Sequence, residues 1–191
     1  MTLMESLHLS RPYAIMMVGI PGSGKSYFAS QFAATFHAPY IDSLTIEQLS
    51  RDNDAAGDLI GIVLAEIAKT GQSFVFEGNS DSRVRRTEFV RWARSKGYQP
   101  LLIWVQTDRQ TSLKRALKNG STTPDIFANI IRDFSAPHED EKAIVISGKH
   151  THASQARVVL GFLSKDTRPQ TSTPSPRATS VQPPRRTITI R

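Results

Sequence analysis

The chain has 191 residues, enough for one ordinary domain with a segment to spare and too few for a large multidomain assembly. Lys and Arg number 24 against 17 Asp and Glu, a formal net charge of +7 with a pI near 10.0, which at face value points to an anionic partner such as a nucleotide or nucleic acid. With 39% hydrophobic residues the chain can bury a real core, and with no cysteine it excludes disulfides, thiolate metal sites, iron–sulfur clusters and cysteine nucleophiles.

Short apolar runs bounded by Gly, Pro or polar clusters predict buried strands at 14–20, 39–42, 73–77, 100–106 and 143–147. Between them, apolar positions three and four residues apart predict helices at 26–36, 54–69, 82–96, 109–118, 125–134 and 152–163. This alternation argues for an α/β fold: a doubly wound, mainly parallel five-stranded sheet with helices on both faces. The longest apolar stretches, 14–20 and 59–65, fall well short of the roughly eighteen residues that a spanning helix needs, so no membrane segment is expected. Glu5 and His8 come early, with no apolar run before a small-residue cleavage site, and the expected location is the cytoplasm.

Composition breaks near Ser164. Residues 165–191 hold five prolines, nine Ser or Thr, no aromatic residue and no hydrophobic periodicity, the profile of a disordered tail. Its six cations oppose Asp166 alone, so the tail carries +5 and the domain expected over 1–164 carries only +2. Most of the basicity therefore belongs to the appendage.

The first strand runs into Gly19-Ile20-Pro21-Gly22-Ser23-Gly24-Lys25-Ser26, which satisfies G-x-x-x-x-G-K-[ST] in its required strand, loop, helix setting. Glycines let the loop wrap so that successive backbone N–H groups face inward, and the following helix adds its positive end; together they make an anion-binding nest. The phosphates of ATP would lie across Gly19, Pro21, Gly22, Ser23 and Gly24, with Lys25 on the β- and γ-phosphates and the Ser26 hydroxyl on Mg2+. A phosphate loop fixes the ligand class and not the reaction, but about 140 further ordered residues suit a small kinase better than a motor.

The loop, an acid (Asp42) ending the second strand, and a third strand closing on Glu77-Gly78-Asn79 ahead of an arginine cluster resemble the P-loop kinases related to the kinase domain of phage polynucleotide kinase. Zeta-toxin-like sugar-nucleotide kinases are more distant relatives. The resemblance runs from about residue 14 to 163. It implies that Asp42 accepts the proton of the attacking hydroxyl, although Asp also fills helix N-caps. It implies acceptor positioning by Glu77 and Asn79, or water-mediated Mg2+ binding there, with Asn79 helping to order the loop, in a place where the family usually has Asp-x-x-Asn or Asp-Thr-Asn. In helix 82–96, Arg85 or Arg86 would contact a phosphate of the acceptor, the other cations forming a solvated face. On the segment after the fourth strand, Arg115 matches the first lid arginine and is taken as the catalytic and nucleotide-binding one, with Lys118 or Arg132 as substitutes.

Two departures bear on the acceptor. Asn119 sits where the family's second lid arginine is expected, and Thr45 replaces an arginine that contacts the acceptor's 3′ phosphate. The loop 147–152, with Lys149 and His150, is expected near the adenine, with Thr151 as a helix N-cap. The leading expectation is an ATP- and Mg2+-dependent phosphotransferase whose acceptor is a nucleic-acid 5′-hydroxyl, reached through the basic tail and helix 82–96. A kinase of metabolites or sugar nucleotides, and a nucleotide-binding module without transfer activity, are the alternatives.

Overall fold

The computed structural model describes residues 11–166. Five strands, β1 (Tyr13–Val18), β2 (Tyr40–Asp42), β3 (Phe74–Glu77), β4 (Gln99–Gln106) and β5 (Ile144–Ser147), form one sheet in the order β2-β3-β1-β4-β5, and every neighbouring pair is parallel. Such a sheet has both faces covered, which is why β1 is buried at all six positions instead of alternating with polar residues. Its side chains still divide by parity. Tyr13, Ile15 and Met17 join one core with Phe28 and Phe32 of α1 (Lys25–Phe36) and Val159 and Leu163 of α7 (His152–Asp166). Ala14, Met16 and Val18 join the other, with Leu64 of α3 (Asn53–Thr70) and Phe89 and Ala93 of α4 (Arg83–Ser95).

The helices carry ordinary start signals. Asp52, Ser82, Asp108 and Thr123 each accept a backbone N–H in the first turn of α3, α4, α5 (Arg109–Lys118) and α6 (Pro124–Asp133). In α1, Phe28, Phe32 and Phe36 recur every four residues and touch in series, the first pair stacked and the second tilted, with ring centroids 5.2 and 4.8 Å apart.

The expected strands and helices are all present. One helix was not expected: α2 (Ser43–Leu49), capped by Asp42, whose carboxylate accepts from Leu44 N at 3.1 Å. Its Leu44 and Leu49 face outward, 52% and 85% exposed, so no apolar stripe announced it. At the other end, α7 runs to Asp166, two residues past the expected boundary at 164; residues 167–191, and with them most of the expected tail, lie outside the described residues. No helix among the described residues is long and apolar enough to cross a membrane.

Candidate active site

Because all five strands are parallel, their carboxyl ends open on one edge of the sheet, where α/β proteins place ligands. The loop from Gly19 to Ser26 sits on that edge between β1 and α1. Its turn is closed by Ser23 N donating to Ile20 O at 3.1 Å, and its packing demands glycine at a defined place. Gly22 has φ +73°, and a Cβ there would lie 2.1 Å from the Ser112 carbonyl of α5.

The loop is held from outside as well. Thr107, just past β4, donates its hydroxyl to Ser23 O at 2.9 Å, and Gly148, just past β5, presses so closely that a Cβ would stand 2.0 Å from the same carbonyl. Gly148 N is anchored on Gln106 O at 2.8 Å. Arg115 reaches across from α5 to Gly148 O at 2.9 Å, and Lys149 pairs with Asp108 at 2.6 Å. Lys149 is the first cause holding the Asp108 carboxyl well below the usual carboxylate range. The α5 helix and the loop after β5 thus form one frame around the phosphate loop.

Inside it, Lys25 folds back, donating to Ile20 O at 3.1 Å, and its ammonium lies 4.0 Å from Glu77. Burial pushes the Lys25 pKa down, with Glu77 and then Asp42 pulling the other way. Ser26 donates to Glu77 Oε1 at 2.9 Å, while Tyr40 donates to Oε2 at 2.8 Å. Burial, then the Glu77 charge, pushes the Tyr40 hydroxyl far above its ordinary pKa, so it stays a donor. Asp42 is the in-register neighbour of Glu77 across the β2–β3 pair, and its second oxygen accepts from Thr45 at 2.8 Å. Thr45 therefore orients Asp42.

Hydroxyl and carboxylate oxygens of this kind fit Mg2+, which takes one or two carboxylates plus waters and substrate phosphates in place of an all-protein cage. Ser26 and Glu77 would hold it, directly or through water. No group of three or more His, Asp and Glu side chains able to hold a metal occurs among the described residues.

Comparison with known proteins gives the frame a fold. No protein-family model matches the chain and no curated protein matches it in sequence. Solved structures do match in shape. A gluconokinase from Sinorhizobium meliloti superposes with a TM-score of 0.61 at 14% identity, over 83% of this chain and 94% of its own. A sugar kinase from Janibacter reaches 0.62 at 14% identity, over 81% and 95%. Kti12 from Chaetomium thermophilum, solved with ADP–AlF3, reaches 0.66 at 13% identity, over 82% and 100%. The chain has the α/β P-loop fold that these structures share. These likenesses support neither the polynucleotide-kinase branch nor a nucleic-acid acceptor.

Within that fold, the expected site residues separate into two groups. Lys25, Ser26, Asp42 and Glu77 come together, with Arg115 tied to the frame beside them. Arg86 does not join them. It is fully buried, forks onto both oxygens of Glu141 at 2.7 and 2.9 Å, and donates also to Ser80 O and Ser135 O, so four of its five N–H donors are spent inside the protein and the group is closed to an acceptor phosphate. The expectation that Arg86 contacts the acceptor is corrected: it clamps α4 to the turn at Glu139–Glu141. Arg85 stays at the surface, 3.5 Å from Asp81, and shares with Asn79 a cleft of about 280 Å³ between α3 and α4, below the usual size of a ligand pocket. Asn119 caps α5 and is exposed, and Arg132 pairs with Asp133 at 3.1 Å. Thr151 does cap α7, accepting from Ser154 N at 3.4 Å.

Sequence reasoning missed Tyr40, Thr107 and the close approach of Gly148. Tyr40 had a signal: strand periodicity puts it on the same side as Asp42. Thr107 had none, since its partner Ser23 is 84 residues away.

Proposed function

We propose that the protein is a kinase that binds ATP with Mg2+ across Gly19 to Ser26 and transfers the γ-phosphoryl group to a hydroxyl. The observation that carries this reading is the convergence of Lys25, Ser26 and Tyr40 on the Glu77 carboxylate, with Asp42 beside it in register. Lys25 supplies charge to the β- and γ-phosphates. Mg2+ held at Ser26 and Glu77 would neutralise developing charge on the same oxygens. The acceptor oxygen attacks the γ-phosphorus in line, the bond from that phosphorus to the β–γ bridging oxygen breaks, ADP leaves, and the hydroxyl proton passes to Asp42. Catalysis comes from positioning and electrostatics, with no covalent enzyme intermediate.

The acceptor reading favoured is a small hydroxyl compound. The expectation of a nucleic-acid 5′-hydroxyl rests on the basic tail, most of which lies outside the described residues, and on helix 82–96, where Arg86 is buried; at the site itself Thr45 holds Asp42. The test is incubation with γ-labelled ATP and a panel of polyols, nucleosides and 5′-hydroxyl oligonucleotides, followed by identification of the labelled product. Label in a small acceptor, lost in Lys25→Ala and Asp42→Asn, is the expected result. Label in oligonucleotides alone would restore the nucleic-acid reading. ADP binding with no transfer to any acceptor would reduce the protein to a nucleotide-binding module.

A further inference from the structure

The catalytic cluster lies at the carboxyl ends of β1, β2 and β3. A cleft of about 550 Å³, within the range of small-molecule pockets, lies elsewhere, and the register of the sheet creates it. β4 pairs with β1 from Gln99 onward, but β5 joins β4 only at Ile103, opposite Ile144. Residues 99–102 therefore have no strand on their outer side among the described residues. The cleft occupies that place. α4 and α7, which cover opposite faces of the sheet, both reach it, the first with Val90 and Arg94 and the second with Phe162, and the segment 140–142 closes it.

Charge selects the occupant. The lining holds four cations against two acids, a net +2. Arg83 pairs with Asp140 and Arg86 is spent on Glu141, whereas Arg94 and Lys142 form no ion pair among the described residues. Lys142 has a second peculiarity: its φ is 52°, in the left-handed region that few residues other than Gly, Asn and Asp adopt. Strain kept at a lysine on the lining of a cleft points to a use for its ammonium. An added strand is the wrong occupant, because Pro100 brings no N–H to this open edge. A nucleic-acid strand is wrong as well, since two unpaired cations fall short of what neutralising a phosphate backbone takes. Two positive charges beside the ring of Phe162, which is 44% exposed, match a small molecule with a dianionic head and an apolar body. A phosphate monoester carries that charge at neutral pH and offers three acceptor oxygens.

We propose that this cleft binds a small phosphomonoester with an apolar or aromatic body, held by Arg94 and Lys142, at a site separate from that of phosphoryl transfer. The separation follows from the sheet. Pro100 lies about 20 Å down β4 from Gln106 at the carboxyl end, and β4 stands three strand spacings, about 14 Å, from β2 and Asp42. The ligand of this cleft is therefore neither the nucleotide nor the acceptor, and the proposal does not rest on the kinase reading.

Residue-resolved amide shifts test it. Phenyl phosphate, phenol and a 5′-hydroxyl oligonucleotide are each titrated into the full isotope-labelled chain, and ADP affinity is measured in parallel. The expected result is saturable shifts from phenyl phosphate at Arg94, Leu102 and Lys142, with phenol weaker by about tenfold or more. Arg94→Gln and Lys142→Gly should each weaken phenyl phosphate by about threefold or more and leave ADP affinity within about a factor of two. Lys25→Ala should do the reverse. Glycine suits a φ of 52°, so Lys142→Gly should not lower the melting temperature, which separates loss of the site from loss of the fold. Shifts confined to residues 19–26 overturn the proposal, as does phenol binding as tightly as phenyl phosphate. So does an affinity indifferent to both cleft variants, and so does tighter binding of the oligonucleotide at the same amides. ADP binding that ignores Lys25 would sink the kinase reading instead and leave this site standing.

Discussion

Tyr40 donates its hydroxyl to Oε2 of Glu77 at 2.8 Å while Ser26 donates to Oε1 at 2.9 Å, so both oxygens of the carboxylate are fixed by side chains from different elements. Glu is one methylene longer than Asp, and the extra torsion must be restrained if the carboxylate is to serve a metal. Tyr40→Phe removes that restraint without changing the packing of the ring. Because the acceptor of the lost bond is a carboxylate, unfolding stability should fall by about 1–2 kcal/mol. The Mg2+ concentration needed for half-maximal ADP binding should rise, which calorimetry at stepped Mg2+ measures. An unchanged Mg2+ dependence would make Tyr40 a purely structural residue.

Lys25 gives a pH test. Burial lowers its pKa more than Glu77 and Asp42 raise it. Between the lowered value and the ordinary lysine value of about 10.4, the unfolded chain binds more protons than the folded one, so the contribution of Lys25 to stability increases as pH rises through that window. Bound phosphates favour the charged ammonium and pull the pKa back up. ADP binding should therefore take up protons in the window between the lowered value and the ordinary lysine value and not above it, as read at stepped pH from binding enthalpies in buffers of different ionisation heat. Lys25→Ala should lose the uptake together with at least tenfold in ADP affinity, about 1.4 kcal/mol.

The Arg86–Glu141 fork predicts acid sensitivity. Arg86 holds the Glu141 carboxyl below the usual range. That stabilisation is complete above the unfolded carboxylate pKa of about 4.3 and is lost as pH falls through the lower, folded value. Glu141→Gln should flatten the acid limb of a urea-melt series. Arg86→Ala, which leaves the largely buried Glu141 carboxylate without its cation, should cost about 3 kcal/mol or more. ADP affinity in the surviving folded fraction should stay near wild type, because neither residue touches the phosphate loop.

What the sequence disclosed and what it hid divide along range of interaction. The phosphate loop was legible because its chemistry is contiguous, and Asp42 because a strand end followed by a turn marks the ligand edge of a parallel sheet. Arg86 was misread because, seven residues past Asn79 in an arginine-rich helix, nothing local separates a phosphate-binding arginine from a buried clamp. Its partner Glu141 is 55 residues away. α2 escaped for the opposite reason: it is specified by one capping aspartate and exposes Leu44 and Leu49, leaving no periodicity to read. Tyr40 belonged to a three-residue strand in which a single aromatic residue reads as core.

Glycine substitutions offer a last and opposed pair. At Gly148 an added Cβ would meet Ser23 O at 2.0 Å and Thr107 Oγ1 at 2.2 Å, and neither can withdraw without moving the phosphate loop or the end of β4. Gly148→Ala should therefore weaken ADP binding by tenfold or more and lower the melting temperature by several degrees, a loss of about 1–3 kcal/mol. Gly57 lies inside α3 with nothing within 4 Å of a new Cβ, so Gly57→Ala should raise stability by about 0.5–1 kcal/mol and leave ADP binding alone. The contrast separates the two meanings of glycine in this chain. At 148 the missing side chain makes room for the loop that holds phosphate, whereas at 57 it only adds entropy to the unfolded state. If Gly148→Ala bound ADP as tightly as wild type, the loop after β5 would not be part of the frame, and the role given to Arg115 through its bond to Gly148 O would fall with it.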